Sequence, residues 1–323
     1  MELFKNTSAK ERLTRAAVTM VTAVAVLGVA ACGGGGGTDT VAGTPADGGG
    51  DARILLAVST LANPFFIEMR DGAQEAADAA GVELVVVDAQ DDPATQSNQL
   101  ADALSQNFDI VVLNATDSEA VAPAVKRLNE AEVPVILVDR EVNGAEAETY
   151  VASDNVELGR LGGEALVEAI GGEGKVAVLR GISGLPSSNE RFEGFNTAVD
   201  AAEGVEVVAA QVADYDRARG LDVMSNILQA NPDIVGVFAE NDEMALGAIQ
   251  ALGPRAGNDV FVVGIDGTPD ALAAIKEGTM YATIAQQAGE LGKAGVDQAL
   301  AVLDGEDLPE TTVVDVKTVT ADS

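Results

Sequence analysis

Several polar residues in this sequence stand directly after short apolar runs, and their types are those that make paired hydrogen bonds. Asp109-Ile-Val-Val-Leu leads to Asn114, and Val133-Pro-Val-Ile-Leu-Val leads to Asp139 and Arg140. In the second half, similar runs lead to Asn241 and Asp242, to Asp266, and to Gln286. Planar amides, carboxylates and guanidinium groups can bond two neighbouring hydroxyls at once, the arrangement that a sugar offers. Taken singly, an Asn or Asp here also suits a helix cap or a turn. Five run ends of one kind favour a shared binding role.

Aromatic residues make up only 3% of the chain and Trp is absent, so each ring near these positions is informative. In Ser59-Thr-Leu-Ala-Asn-Pro-Phe-Phe66, Asn63 suits a helix N-cap and Pro64 the first helical position. Phe65 and Phe66 then project about 100° apart. Phe66 continues into an apolar stripe with Met69, Ala73, Ala76 and Ala80, closed by Gly81. Phe65 is left near the strand end, where its face can cover a ring. Tyr215, after the run ending at Gln211, offers a second aromatic face.

The elements that must position these groups are short strands alternating with helices. Strand patterns cover residues 54–59, 83–88, 109–113 and 133–138, then 175–179, 205–211, 233–239, 259–265 and 280–285. Repeated strand–helix units predict parallel sheets with right-handed crossovers. Residues 109–140 read strand, Asn, Asp, Ala-rich helix, strand, Asp-Arg; residues 233–267 read strand, Asn-Asp, Ala-rich helix, strand, Asp-Gly. This echo predicts an α/β protein of two similar doubly wound lobes, with ligand beyond the carboxyl ends of the strands.

Other chemistries are disfavoured. The chain has no His, and its one cysteine is Cys32, so imidazole and thiolate catalysis are excluded from its body. With 52 acidic and 19 basic residues, the net charge of −33 opposes nucleic-acid binding. No G-x-G-x-x-G follows the first strand, and neither a Walker-A loop nor a G-x-S-x-G elbow occurs. A calcium loop is likewise not evident, so no metal and no cofactor are expected.

Residues 1–31 read as an export signal: Lys5, Lys10, Arg12 and Arg15 precede an apolar run ending Val29-Ala30-Ala31-Cys32. That end resembles a bacterial lipobox, which implies lipidation of Cys32. Residues 32–50, rich in Gly, Thr and Asp, read as a flexible tether.

From Arg53 nearly to its end the chain resembles the ribose-binding proteins of bacterial ABC importers, of the periplasmic binding protein type I fold. The resemblance is carried by Val58-Ser-Thr-Leu-Ala-Asn-Pro-Phe-Phe66, Asn114-Ala-Thr-Asp-Ser118, Leu137-Val-Asp-Arg140 and Ala152-Ser-Asp-Asn155. Further carriers are Glu190-Arg-Phe-Glu-Gly-Phe195, Ala213-Asp-Tyr-Asp-Arg217, Asn241-Asp-Glu-Met-Ala-Leu-Gly247 and Gly264-Ile-Asp-Gly-Thr-Pro-Asp270. It implies ring stacking by Phe65, Phe66 and Tyr215. It implies hydroxyl recognition by Asn63, Asn114, Asp139, Arg140, Arg191, Asn241, Asp266 and Gln286, where Arg191 rests on the resemblance alone. Three hinge strands are implied near Ser153, Gln286 and Asp315. They divide the chain into lobes of residues 51–153 plus 287–315 and 154–286 plus 316–323. Two positions depart from the family pattern: Tyr215 stands where Phe is usual, and Ala62 replaces a common Asn.

The expected protein is a monomeric, non-enzymatic lipoprotein outside the cytoplasm. It would bind a monosaccharide, foremost D-ribose, and deliver it to a membrane permease. Another pentose, a hexose or a related polyol fits the same pattern, as does reading of the closed lobes by a chemoreceptor. A regulator of the lactose-repressor type would share the lobes, but it needs a basic DNA-binding segment where this chain has an export signal.

Overall fold

The computed structural model describes residues 52–323. The segments expected to form an export signal, a lipidation site at Cys32 and a tether lie outside the described residues.

Along the chain, β1 (Arg53–Val58), α1 (Pro64–Ala80), β2 (Glu83–Asp88), α2 (Pro93–Gln106), β3 (Ile110–Leu113), α3 (Ala122–Glu130), β4 (Val135–Val138) and β5 (Thr149–Ala152) come first. There follow α4 (Asn155–Ala169), β6 (Glu173–Arg180), α5 (Pro186–Asp200), β7 (Gly204–Val212), α6 (Arg217–Ala230), β8 (Ile234–Ala239), α7 (Asp242–Leu252), β9 (Phe261–Asp266), α8 (Pro269–Glu277) and β10 (Ala282–Ala285). The chain ends with α9 (Ala288–Leu303), β11 (Thr311–Val313) and β12 (Lys317–Thr320).

Two six-stranded sheets result, in the orders β11-β5-β4-β3-β1-β2 and β12-β10-β9-β8-β6-β7. Every pairing is parallel except that of β12 with β10. The chain passes from the first sheet to the second between Ala152 and Asn155, returns between Ala285 and Ala288, and crosses again between Val313 and Lys317. Ser153, Gln286 and Asp315 lie within these three crossings.

Both faces of each sheet are covered, as a parallel sheet requires. Ile54, Leu56 and Val58 of β1 pack beneath α1 and α9, while Leu55 and Ala57 face the opposite core under α2 and α3. In the second lobe Val176 and Val178 face the α4 and α5 side, and Ala177 and Leu179 the α6, α7 and α8 side. Strand alternation thus feeds two apolar layers from one run of residues.

Helix α1 starts as its sequence predicts. Asn63 Oδ1 accepts from the Phe65 amide at 2.9 Å, Pro64 follows, and Gly81 closes the helix with φ of 73°. The stripe differs at its last position: Ala77 is buried and Ala80 is exposed, because the final turn leaves the sheet. Strands β5, β11 and β12 were not among the predicted runs. They are short, and β11 and β12 carry Thr or Lys at exposed positions, so no apolar run marks them.

Candidate functional site

Residues beyond β1, β4, β8, β9 and β10 converge on a cavity of about 280 Å³ between the two sheets. The first lobe contributes Asn63, Phe65, Phe66, Asp139 and Arg140 to its walls. The second contributes Ser187, Arg191, Tyr215, Asn241, Asp266 and Gln286.

The rings come from both sides. Phe65 and Phe66 meet edge to face, with centroids 5.2 Å apart, and both line the cavity while packing on the first core. The expected division, Phe66 inward and Phe65 at the cleft, is not kept, because the first turn of α1 sits where core and cleft meet. The Arg140 guanidinium lies 5.1 Å from the Phe66 ring and 5.8 Å from the Tyr215 ring, bridging aromatics of opposite lobes. Arg191 also stands 5.8 Å from the Tyr215 ring.

Two carboxylates face two guanidinium groups, all more than nine-tenths buried. Both acids occupy uncommon backbone: φ is 65° at Asp139 and 133° at Asp266. Such geometry is unfavourable for a side-chain-bearing residue and persists when surrounding contacts impose it. Those contacts are present. The Asp139 carbonyl accepts from the Tyr150 hydroxyl at 2.8 Å, and its carboxylate accepts from Asn114 Nδ2 at 3.1 Å. Asp266 Oδ1 accepts from Gln286 Nε2 at 2.7 Å. Next to it, Asp242 holds the following turn, accepting from the amides of Gly267 and Thr268 and from the hydroxyls of Thr268 and Thr283.

Burial raises the pKa of Asp139, against the opposing pull of Arg140, Arg191 and Asn114. Burial also lifts Asp266 well above the carboxylate range, and the neighbouring Asp242 charge adds to the rise while Arg191 opposes it. The arginines thus oppose the effect of burial, Arg140 and Arg191 at Asp139 and Arg191 at Asp266.

Arg191 joins the most parts. Its Nε donates to Asn155 Oδ1 at 3.0 Å, Nη1 to the Glu240 carbonyl at 2.6 Å, and Nη2 to Gln286 Oε1 at 3.1 Å. Asn155 begins α4 just after the first crossing and Gln286 lies in the second, so this one side chain touches both.

Asn114 is the one predicted site residue that does not line the cavity. It is fully buried behind Asp139, accepting from the Ser59 amide and donating to the Val138 carbonyl and to Asp139. It positions an acid of the site. Asn63 and Asn241 do both things that their sequence allowed: each caps a helix and each lines the cavity. Asn241 Nδ2 also donates to the Tyr215 carbonyl at 3.2 Å.

Ser187 is the wall residue that the sequence reading missed. It lies four residues before Arg191, which lies four before Phe195, so the three share one stripe of α5. Phe195 stacks on Phe238 of β8 at 4.5 Å, which places Arg191 at the sheet's edge and Ser187 beyond it. Helical spacing from Phe195 is the signal by which both could have been found.

Asp214 and Tyr215 have φ of 52° and 60°, a left-handed pair that turns the ring into the cleft. The phenol end of that ring lies on Gly181: a Cβ there would collide with Cζ, Cε1 and Cε2 of Tyr215. Gly181→Ala is therefore expected to push the ring into the cavity and weaken ligand binding by roughly tenfold or more, as overpacking of about 1–3 kcal/mol implies. Calorimetric titration checks it, and unchanged affinity would mean that the ring can retreat.

Comparison with known proteins agrees with this architecture. A model of the periplasmic binding protein domain matches residues 54–307. The ribose import binding protein of Escherichia coli is 47% identical over 266 residues, 82% of this chain and 90% of that one. Its Bacillus subtilis counterpart is 42% identical over 258 residues, 80% and 84% of the two chains. Among solved structures, an ABC transporter solute-binding protein of Actinobacillus succinogenes with bound D-allose superposes with a TM-score of 0.80 at 33% identity, over 84% of this chain and 98% of that one. Two parallel-sheet lobes crossed three times by the chain, a walled cleft between them and a family match along most of the length lead to one conclusion: the chain belongs to the periplasmic binding protein family.

Proposed function

We propose that this protein is the extracytoplasmic solute-binding component of an ABC sugar importer, that it takes D-ribose between its lobes, and that it hands the sugar to a membrane permease. The observation that carries this reading is the wall of the cavity. Paired carboxylates and guanidinium groups stand between aromatic rings contributed by both lobes, a surface suited to a small ring edged with hydroxyls. The relatives named ribose import binding proteins support ribose among such sugars.

The mechanism is closure about the three crossings. With the lobes apart, each presents half of the contacts; a sugar held by both makes the closed arrangement the dominant one. Asp139 and Asp266 accept from sugar hydroxyls, Arg140 and Arg191 donate, and the rings cover the apolar faces. Hydrogen bonds to charged groups contribute about 1.5–3 kcal/mol each. A few of them plus stacking supply the roughly 8 kcal/mol of micromolar binding after ordering costs. Acylation of Cys32 would tether the protein to the membrane beside its permease, and the protein would act as a monomer with no bond of the sugar broken.

Titration calorimetry with a panel of pentoses and hexoses, paired with small-angle scattering, tests this. Micromolar or tighter binding of ribose and a smaller radius of gyration with sugar are expected. No heat with any monosaccharide would defeat the proposal.

A further inference from the structure

The hydroxyl of Tyr215 has no packing role that a phenylalanine would not fill. Its ring lines the cavity and stands near both arginines, which needs only an aromatic face. Its oxygen, however, is buried and makes no hydrogen bond within the protein. A buried donor left unpaired is unfavourable, and native structures rarely keep one. Nor can the ring easily swing its oxygen into water. The phenol end rests on Gly181, and the backbone is held left-handed at Asp214 and Tyr215.

A second hydroxyl lies on the same wall. Ser187, on the first turn of α5, lines the cavity with Tyr215. Burial raises the phenol's pKa; Arg191 opposes that rise, and so does the nearby Ser187 hydroxyl, which acts on the phenol without reaching hydrogen-bond geometry. An alcohol and a phenol side by side, both able to donate and to accept, form a hydroxyl corner in a wall otherwise made of charged groups, amides and rings.

We infer that the Tyr215 hydroxyl, with Ser187 beside it, is a specificity contact on the second lobe that pairs with one ligand hydroxyl, so that the site selects sugars bearing an oxygen at that end of the ring. The inference rests on the reading of the cleft as a monosaccharide site. It adds a selection: a ligand lacking that oxygen leaves the phenol orphaned, and a polar group left unpaired discriminates more strongly than a missing apolar contact.

The test is calorimetric titration of the unaltered protein, Tyr215→Phe and Ser187→Ala with D-ribose, 2-deoxy-D-ribose and 5-deoxy-D-ribose. For D-ribose, Tyr215→Phe is expected to bind about tenfold more weakly, the size of one neutral hydrogen bond. For one of the deoxy sugars the unaltered protein and Tyr215→Phe should bind alike, which identifies the hydroxyl that the phenol recognises. Ser187→Ala should weaken D-ribose by a smaller factor and leave the same deoxy sugar unaffected. Tyr215→Phe binding D-ribose as tightly as the unaltered protein overturns the inference while leaving the sugar site standing. An unaltered protein that binds none of the three overturns the ribose reading and this inference with it.

Discussion

Replacing Arg191 by alanine is expected to weaken sugar binding by a few hundredfold to several thousandfold. The guanidinium is buried and makes three hydrogen bonds, and it opposes the rise in pKa of both Asp139 and Asp266. Its removal leaves Asp139 with Arg140 alone and Asp266 without the one guanidinium that opposes its rise. Breaking a buried charge pair from one side costs roughly 3–5 kcal/mol, which sets the affinity range. The loss should not be confined to binding. Asn155 and Gln286 lose their shared donor, so the melting temperature should fall as well. Circular dichroism establishes that the variant is folded at the titration temperature, and calorimetry then gives its affinity. Binding within threefold of the unaltered protein would remove Arg191 from the site.

The second large effect concerns pH. Burial pushes Asp242 up to about 7, from an ordinary value of 3.8, against the pull of its hydrogen-bond donors on the Thr268 and Thr283 side chains and the 267–268 turn. Between those values the folded protein holds a proton that the unfolded chain has released. Unfolding then gives up that proton, so this group lowers stability progressively as pH rises from about 4 to about 7, with no further change above. Asp242→Asn removes the titration. An amide can present its oxygen to the Gly267 and Thr268 donors while the Thr283 hydroxyl turns to accept from the new NH₂. The variant should come nearest to the unaltered protein at about pH 4, gain on it by pH 5, and near pH 8 be more stable by a few kcal/mol. Urea denaturation at the lowest and highest of these pH values decides it; equal differences at both would mean that Asp242 carries no such strain. Sugar binding should persist, since Asp242 acts behind Asp266.

Much of the site could be read from the chain because the fold makes sequence position equivalent to spatial position. The carboxyl ends of parallel strands share one edge, so Asp139, Asp266 and Gln286, each just past or at the end of an apolar run, must meet near that edge. The same logic does not separate a residue that touches ligand from one that holds its neighbour. Asn114 follows β3 in the same manner, yet it turns back to Ser59 and Asp139. Arg191 and Ser187 escaped strand-end reasoning since they sit on a helix, and their position depends on how α5 lies over β8. That depth is set partly by Gly159, whose missing side chain lets the backbone of α4 touch that of α5 at Arg191. A contact of this kind has no periodic signature. The three short strands near the crossings are equally silent, since their partners, not their own apolar content, make them strands.

The interleaved path of the chain has a consequence for the order in which the molecule can form. Helix α1 is covered on its inner side by Ala288, Leu291, Val296 and Ala299 of α9, and β11 completes the sheet to which β1 belongs. A nascent chain that ends before Ala288 has every strand of the second sheet except β12, but its first sheet lacks β11 and the half of one greasy face that α9 covers beside α1. Helix α1 must therefore wait for α9, a contact of long sequence separation that slows closure of that core.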